Sequence, residues 1–157
     1  MSKIILGLDP GIADTGYGII NYDKGKLSCL TYGSIKTDSR KDLLERLEKL
    51  DFELEELIKK YKPSVVAVEE LFFNKNTKTA LIVGQARGAL LLRIKKSALK
   101  FLEFTPGQVK QSVAAYGRAS KDQVQKMVKI ILNLKELPKP DDAADALAVA
   151  ICASNIK

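Results

Sequence analysis

Apolar residues recur along this chain in two rhythms. Lys3-Ile4-Ile5-Leu6-Gly7-Leu8-Asp9 is a short apolar run stopped by Pro10-Gly11, which cannot continue a ladder and favours a turn, so it predicts a buried strand. A second strand is expected at Gly16 to Tyr22. Asp23-Lys24-Gly25-Lys26 then reads as a hairpin connection into a third strand near Leu27 to Lys36. The rhythm then changes. Ser39 with Asp42 three residues later marks a helix start, and Leu43, Leu44, Leu47, Leu50, Leu54, Leu57, Ile58 and Tyr61 recur at helical spacing up to Pro63.

Ser64 to Glu69 is a continuous apolar run after a helix, the pattern of a strand covered on both faces, and it ends in two carboxylates. Residues 72–76 read as a loop and Thr77 to Ser97 as a long helix. That helix carries Gly84 and Gly88, where another backbone has room to approach. A strand at Leu99 to Phe104 follows. Thr105-Pro106-Gly107-Gln108 and Ser120-Lys121-Asp122-Gln123 each open a helix with a capping box. After Pro138 and Pro140, Asp141 is expected to cap a last helix through Ile151. The order βββαβαβααα predicts an α/β fold with a mixed five-stranded sheet flanked by helices.

At 157 residues and 46% apolar content the chain can bury a core as one domain, 1–157. Asp9 comes too early for a signal peptide and no apolar run approaches the length of a membrane span, so a soluble, cytoplasmic protein is expected. The two cysteines, Cys29 and Cys152, lie far apart in apolar segments, which argues against a disulfide framework or a zinc site.

Charge changes the picture more than composition does. Residues 1–70 carry 11 basic and 13 acidic side chains, whereas 71–157 carry 15 and 6. A basic half suits a polyanion, because neutralising phosphates releases counterions, although a lysine-rich surface also arises for solubility alone.

The acids narrow the chemistry. An unpaired carboxylate at the end of an apolar strand costs several kcal/mol, so Asp9 needs a cation or an edge position, unless it only forms the turn before Pro10-Gly11. Successive side chains of a strand face opposite ways, so only one of Glu69 and Glu70 faces as Asp9 does, and periodicity leaves open which. Asp142 and Asp145 lie three apart and are neighbours on a helix. Asp142 has an ordinary explanation in the helix dipole. Asp145 sits in a nearly all-apolar helix and calls for compensation, which a divalent ion shared with Asp142 and Asp9 would supply. Oxygen ligands favour magnesium or manganese. The chain has no histidine, which excludes Ser-His-Asp and Cys-His catalysis and leaves metal-assisted hydrolysis.

Five blocks carry a resemblance through nearly the whole chain: Leu6-Gly7-Leu8-Asp9-Pro10-Gly11 with Thr15-Gly16-Tyr17-Gly18, Val68-Glu69, Gly84-Gln85-Ala86-Arg87-Gly88, Gln108-Val109-Lys110-Gln111 and Asp142-Ala143-Ala144-Asp145-Ala146-Leu147. In this order they resemble the RuvC family of Holliday-junction resolvases. The resemblance implies a ribonuclease-H-like nuclease, homodimeric, that resolves four-way DNA junctions in recombination and repair by paired symmetric nicks leaving 5′-phosphate and 3′-hydroxyl ends. It selects Glu69 over Glu70. It also implies that Asp9, Glu69, Asp142 and Asp145 hold two Mg²⁺ ions, with Mn²⁺ as a substitute, and that a branch-migration complex (RuvA, RuvB) is a partner.

Lys121 joins the catalytic set on the same ground, and its place in a helix's first turn is mildly unfavourable without a further job. Phe72, Phe73, Lys75, Lys78, Lys110, Arg118 and Lys121 form the expected DNA-contacting set, an aromatic and cationic mix suited to stacking on a base while cations hold phosphates. The resemblance implies that Phe72 is the stacking residue and that Lys110 and Lys121 contact phosphates near the cut. Three other readings compete. A non-catalytic junction-binding module needs only the basic half and the aromatics, and four uncompensated acids would weaken it. Another ribonuclease-H-like nuclease would keep the same acids, and an actin-like ATPase needs a longer chain.

Overall fold

In the computed structural model, which describes residues 2–71 and 77–157, the three N-terminal strands are β1 (Ser2–Asp9), β2 (Asp14–Asp23) and β3 (Lys26–Lys36). They form the expected antiparallel meander, with Leu6 opposite Ile19 and Asp9 opposite Gly16. The strands β4 (Val65–Glu69) and β5 (Lys100–Phe104) add in parallel on the other side of β1, giving the order β3-β2-β1-β4-β5. The helices are α1 (Leu43–Tyr61), α2 (Thr77–Lys96), α3 (Pro106–Ala114), α4 (Lys121–Ile131) and α5 (Asp141–Ser154).

Alternation along the strands divides the core in two. Leu6, Leu8, Ile19, Ile35, Val66 and Val68 face Leu50 and Leu54 of α1 and Ala86, Leu90 and Ile94 of α2. Ile5, Ile20, Val65 and Ala67 face α3, α4 and α5, where Leu147, Ala148 and Ile151 are buried. Burial of both sheet faces explains the apolar run of β4.

Two expected helix starts are corrected. Ser39 does not open α1; Asp42 is its N-cap and accepts the Glu45 N–H at 2.9 Å, because residues 39–41 turn before the helix begins. Asp141 is the first residue of α5 and not its cap. Pro140 occupies the cap with no side-chain bond, and the Asp141 carboxylate instead accepts from Gln125 at 3.1 Å. Both capping boxes, at Thr105 with Gln108 and Ser120 with Gln123, are present as expected.

α5 lies directly on the strands. A β-carbon at Gly7 would collide with the Ala146 carbonyl, one at Gly16 with the Asp142 carbonyl, and one at Gly18 with the Leu147 side chain. Glycine is required at these strand positions by a close helix, not by backbone conformation.

Candidate active site

Odd-numbered residues of β1 and β4 face α5. Ile5, Gly7 and then Asp9 point that way in β1, and Val65, Ala67 and then Glu69 in β4. The parallel register pairs Leu8 with Val68, so Asp9 and Glu69 follow side by side at the carboxyl ends of adjacent strands. Glu70 falls on the opposite phase. The choice that periodicity leaves open is made by the sheet.

Close docking of α5 brings its two acids to the same place. One carboxylate oxygen each from Asp9, Asp142 and Asp145 lie within 4.8 Å of one another. The turn after Asp9 is fixed by Thr15, fully buried, whose hydroxyl donates to the Gly11 carbonyl at 2.6 Å and accepts the Gly11 N–H at 3.3 Å.

Crowded, half-buried acids resist ionising together. Burial, reinforced by Asp145, Asp142 and Glu69, pushes the Asp9 carboxyl up to about 8. Burial also raises Glu69, where Asp145 adds to the effect and Lys110 opposes it. Asp145 is raised by burial against the pull of Lys121. Lys121, at the start of α4, lies 3.6 Å from both Asp145 and Asp141, and Asp145 foremost holds its ammonium above the usual lysine range.

Two hollows open onto the acids. One of about 290 Å³ has Glu69, Asp145, Lys110 and Lys121 at its rim and Val109, Val124 and Ala148 among its apolar lining. A smaller one of about 140 Å³ lies among Asp9, Glu69, Glu70 and Arg87. Lys110 therefore belongs to the site's surroundings, where sequence alone suggests only an ordinary helix lysine.

Of the other expected DNA contacts, Lys78 is exposed in the first turn of α2 and Arg118 is exposed between α3 and α4. Phe72, Phe73 and Lys75 lie outside the described residues. Sequence reasoning gave no role to Arg87, which donates to the Glu69 carbonyl at 2.7 Å and pairs with Glu103. Its signal in the sequence is one arginine inside the apolar face of α2.

All-oxygen donors on β1 and α5, with the Asp9 carboxyl raised by burial and then by its acidic neighbours, fit divalent cations such as Mg²⁺ or Mn²⁺, whose charge would favour the ionised acids. A sheet of this order, with acids at the ends of its first and fourth strands and on the helix crossing them, is the ribonuclease-H-like arrangement expected from the sequence.

The family described as crossover junction endodeoxyribonuclease RuvC matches residues 5–153. The crossover junction endodeoxyribonuclease RuvC of Caldanaerobacter subterraneus subsp. tengcongensis is 55% identical over 148 residues, covering 94% of this chain and 90% of the relative. The structure of T. thermophilus RuvC in complex with Holliday junction substrate matches with a TM-score of 0.91 at 36% identity, over 96% of this chain and 92% of that one. The yeast mitochondrial Holliday junction resolvase Ydc2 shares the fold, with a TM-score of 0.66 at 16% identity over 96% of this chain and 78% of that one. The chain belongs to the RuvC family of crossover junction endodeoxyribonucleases. The family is metal-dependent, in keeping with the acidic cluster. Among the described residues no helix is long and apolar enough to cross a membrane.

Proposed function

We propose that this chain resolves Holliday junctions by paired symmetric nicks, with Asp9, Glu69, Asp142 and Asp145 holding two Mg²⁺ ions, or Mn²⁺ in their place, and Lys121 completing the catalytic set. The observation that carries this reading is the convergence of Asp9, Asp142 and Asp145 in a member of the RuvC family. When bound, the cations supply an activated water and charge stabilisation for the departing 3′ oxygen, leaving 5′-phosphate and 3′-hydroxyl ends.

The chain's own residues do the rest. The four carboxylates fix the charge that recruits the cations. Lys121 lies beside Asp145, where a phosphate oxygen of the bound strand would meet its ammonium. Lys110 adds positive charge at the Glu69 side of the same hollow. Lys78 and Arg118 hold phosphates further along the strand without reading bases. The nuclease is one domain, 1–157, working as a homodimer so that two sites act on opposing strands, with α2 as the pairing helix. Among the described residues, a β-carbon at Gly88 would meet nothing within 4 Å and one at Gly84 only the Leu71 side chain. Branch-migration proteins RuvA and RuvB are its partners in the cytoplasm, where Cys29 and Cys152 stay as free thiols.

The test incubates the protein with a synthetic four-way junction or a matched linear duplex, with Mg²⁺ or EDTA, alongside Asp9→Asn. The expected result is paired nicks in the junction alone, absent with EDTA and reduced on the order of a thousand-fold or more in Asp9→Asn while junction binding persists. Tight junction binding without cleavage, across varied junction sequences and with Mn²⁺, would refute the catalytic reading.

A further inference from the structure

We propose that Arg87 is a positioning residue for Glu69, and that Glu103 is the counter-charge that keeps the Arg87 guanidinium from occupying the catalytic carboxylates. The proposal rests on the reading of Asp9, Glu69, Asp142 and Asp145 as the cation-holding set.

Arg87 is the only charged side chain that is buried among the described residues, at 8% exposure. Its position on α2 faces the ends of β4 and β5. One amino group, Nη1, donates to the main-chain carbonyl of Glu69 at 2.7 Å, and the other, Nη2, pairs with the Glu103 carboxylate. Glu103 sits on β5 opposite Val68, one residue before Phe104, which pairs with Glu69. On the β5 side the Phe104 carbonyl accepts the Glu70 N–H at 2.8 Å. The main chain at the end of β4 is thus held from β5 by strand pairing and from α2 by Arg87. A carbonyl fixed this way limits how its own residue can turn, so the Glu69 side chain leaves the sheet in a defined direction.

The choice of contact matters as much as its strength. Arg87 bonds the carbonyl of Glu69 and leaves its carboxylate free for a cation. Yet Arg87 lines the same small hollow as Asp9, Glu69 and Glu70. An unpaired guanidinium at that spot has carboxylates at hand, and bidentate arginine-carboxylate pairs are among the strongest polar contacts in proteins. Glu103 engages the second amino group. Its side chain is 39% exposed, which keeps it hydrated and outside the acidic cluster. One fork therefore has two separable duties: Nη1 sets the geometry of Glu69, and the pairing of Nη2 leaves the acids open to metal.

Separable duties predict separable defects. Arg87→Met keeps the apolar stem and removes the fork. The expected result is a fall of about 10- to 100-fold in kcat for junction nicking at saturating Mn²⁺, the range seen when a group that orients a metal ligand is lost. Junction affinity measured with Ca²⁺ should stay within a factor of about two of wild type, because Arg87 is buried and both of its amino groups are already engaged by Glu69 and Glu103. Arg87→Lys has a single donor centre and should not rescue kcat, since it cannot bridge Glu69 and Glu103 together.

Glu103→Ala should act differently. Titration of the DNA-free protein with Mn²⁺, followed by electron paramagnetic resonance, should show affinity weakened by roughly 10-fold, because the released guanidinium competes for the carboxylates. Nicking should fall at limiting Mn²⁺ and recover as Mn²⁺ is raised. The double variant Arg87→Met with Glu103→Ala should regain Mn²⁺ affinity relative to Glu103→Ala alone, a restoration that a purely structural ion pair would not give. Wild-type kcat in Arg87→Met would overturn the positioning role. Unchanged Mn²⁺ affinity in Glu103→Ala, or no regain in the double variant, would overturn the counter-charge role. If Arg87→Met does not fold, the Mn²⁺ titration of Glu103→Ala decides the proposal. A wild-type protein that binds but never nicks the junction would instead sink the functional reading beneath it.

Discussion

The helices α1 and α5 cover opposite faces of one sheet and are held to it by different means. α1 is amphipathic, reaches the core through Leu50 and Leu54, and carries Glu and Lys on its outer side, paired at one-turn spacing as in Glu55 with Lys59. α5 is apolar almost all round and its backbone lies against Gly7, Gly16 and Gly18. Side chains that interdigitate tolerate small shifts, whereas a backbone seated on glycines does not. The face that must place two carboxylates beside a third uses the second arrangement.

The largest expected effects separate stability from geometry. Leu54→Ala removes a fully buried side chain and should cost about 2–5 kcal/mol, read from the denaturation midpoint, with nicking unchanged where the protein remains folded. Gly16→Ala adds one methyl against the Asp142 carbonyl, so α5 must move. It should cost about 1–3 kcal/mol yet lower nicking more than tenfold under conditions where the protein stays folded, because the shift displaces Asp142 from Asp9. A Gly16→Ala protein that is merely less stable would break the distinction between the two faces.

Acid titration sharpens the same contrast. On the α1 side, hydrogen bonds from Arg93 hold the Asp51 carboxyl below its ordinary value, so its stabilisation is present above that value and is lost only as acid is added. On the α5 side the sign is reversed. Asp9 is raised from 3.8 to about 8, so the folded metal-free protein holds a proton that the unfolded chain releases. Stability is fully present below the unfolded value and falls as pH rises toward 8. Glu69 and Asp145 are raised too and act in the same direction. With no histidine in the chain, few other groups titrate between pH 5 and 8. In EDTA the melting temperature should therefore fall from pH 5.5 to 8. The fall should be smaller in Asp9→Asn and in wild type with Mg²⁺, which favours the ionised acids. A flat profile in EDTA would contradict the desolvation of Asp9.

Much of this was legible in the sequence, and the missing part has a physical cause. Element order, both capping boxes and the singling out of Asp9, Asp142 and Asp145 follow from local chemistry, because apolar rhythm and turn residues act within a few positions, whereas Glu69 is chosen over Glu70 only by the family resemblance. The orientation of Glu69 does not follow locally, since β4 is apolar on both faces and only its pairing with β1 sets the phase. Gly7, Gly16 and Gly18 all fall on the α5-facing side of two paired strands without any turn to explain them, which is itself a signal of close helix approach. Arg87 shows the opposite problem: its partners, a carbonyl 18 residues earlier and an acid 16 residues later, have no local signature.

The smallest effects distinguish two ion pairs that distance alone would rank wrongly. Glu55 and Lys59 on α1 are 3.1 Å apart, and Lys121 and Asp145 are 3.6 Å apart; the exposures are similar, 64% and 31% against 57% and 32%. Yet burial raises the Asp145 carboxyl, Lys121 opposes that shift and Asp142 adds to it, so Lys121 is tied to the acidic cluster, whereas Lys59 pairs with Glu55 and Glu56 on its own helix. Lys59→Gln should cost about 0.3–0.5 kcal/mol in denaturant melts, the same with or without Mg²⁺. Lys121→Gln should cost no more than about 1 kcal/mol in EDTA, because solvent screens it. That cost should shrink when Mg²⁺ is present, since a cation among the acids takes over the neutralisation that Lys121 provides in its absence. Equal responses of the two variants to Mg²⁺ would mean that Lys121 forms only a surface ion pair, and its place in the catalytic set would fall with that result.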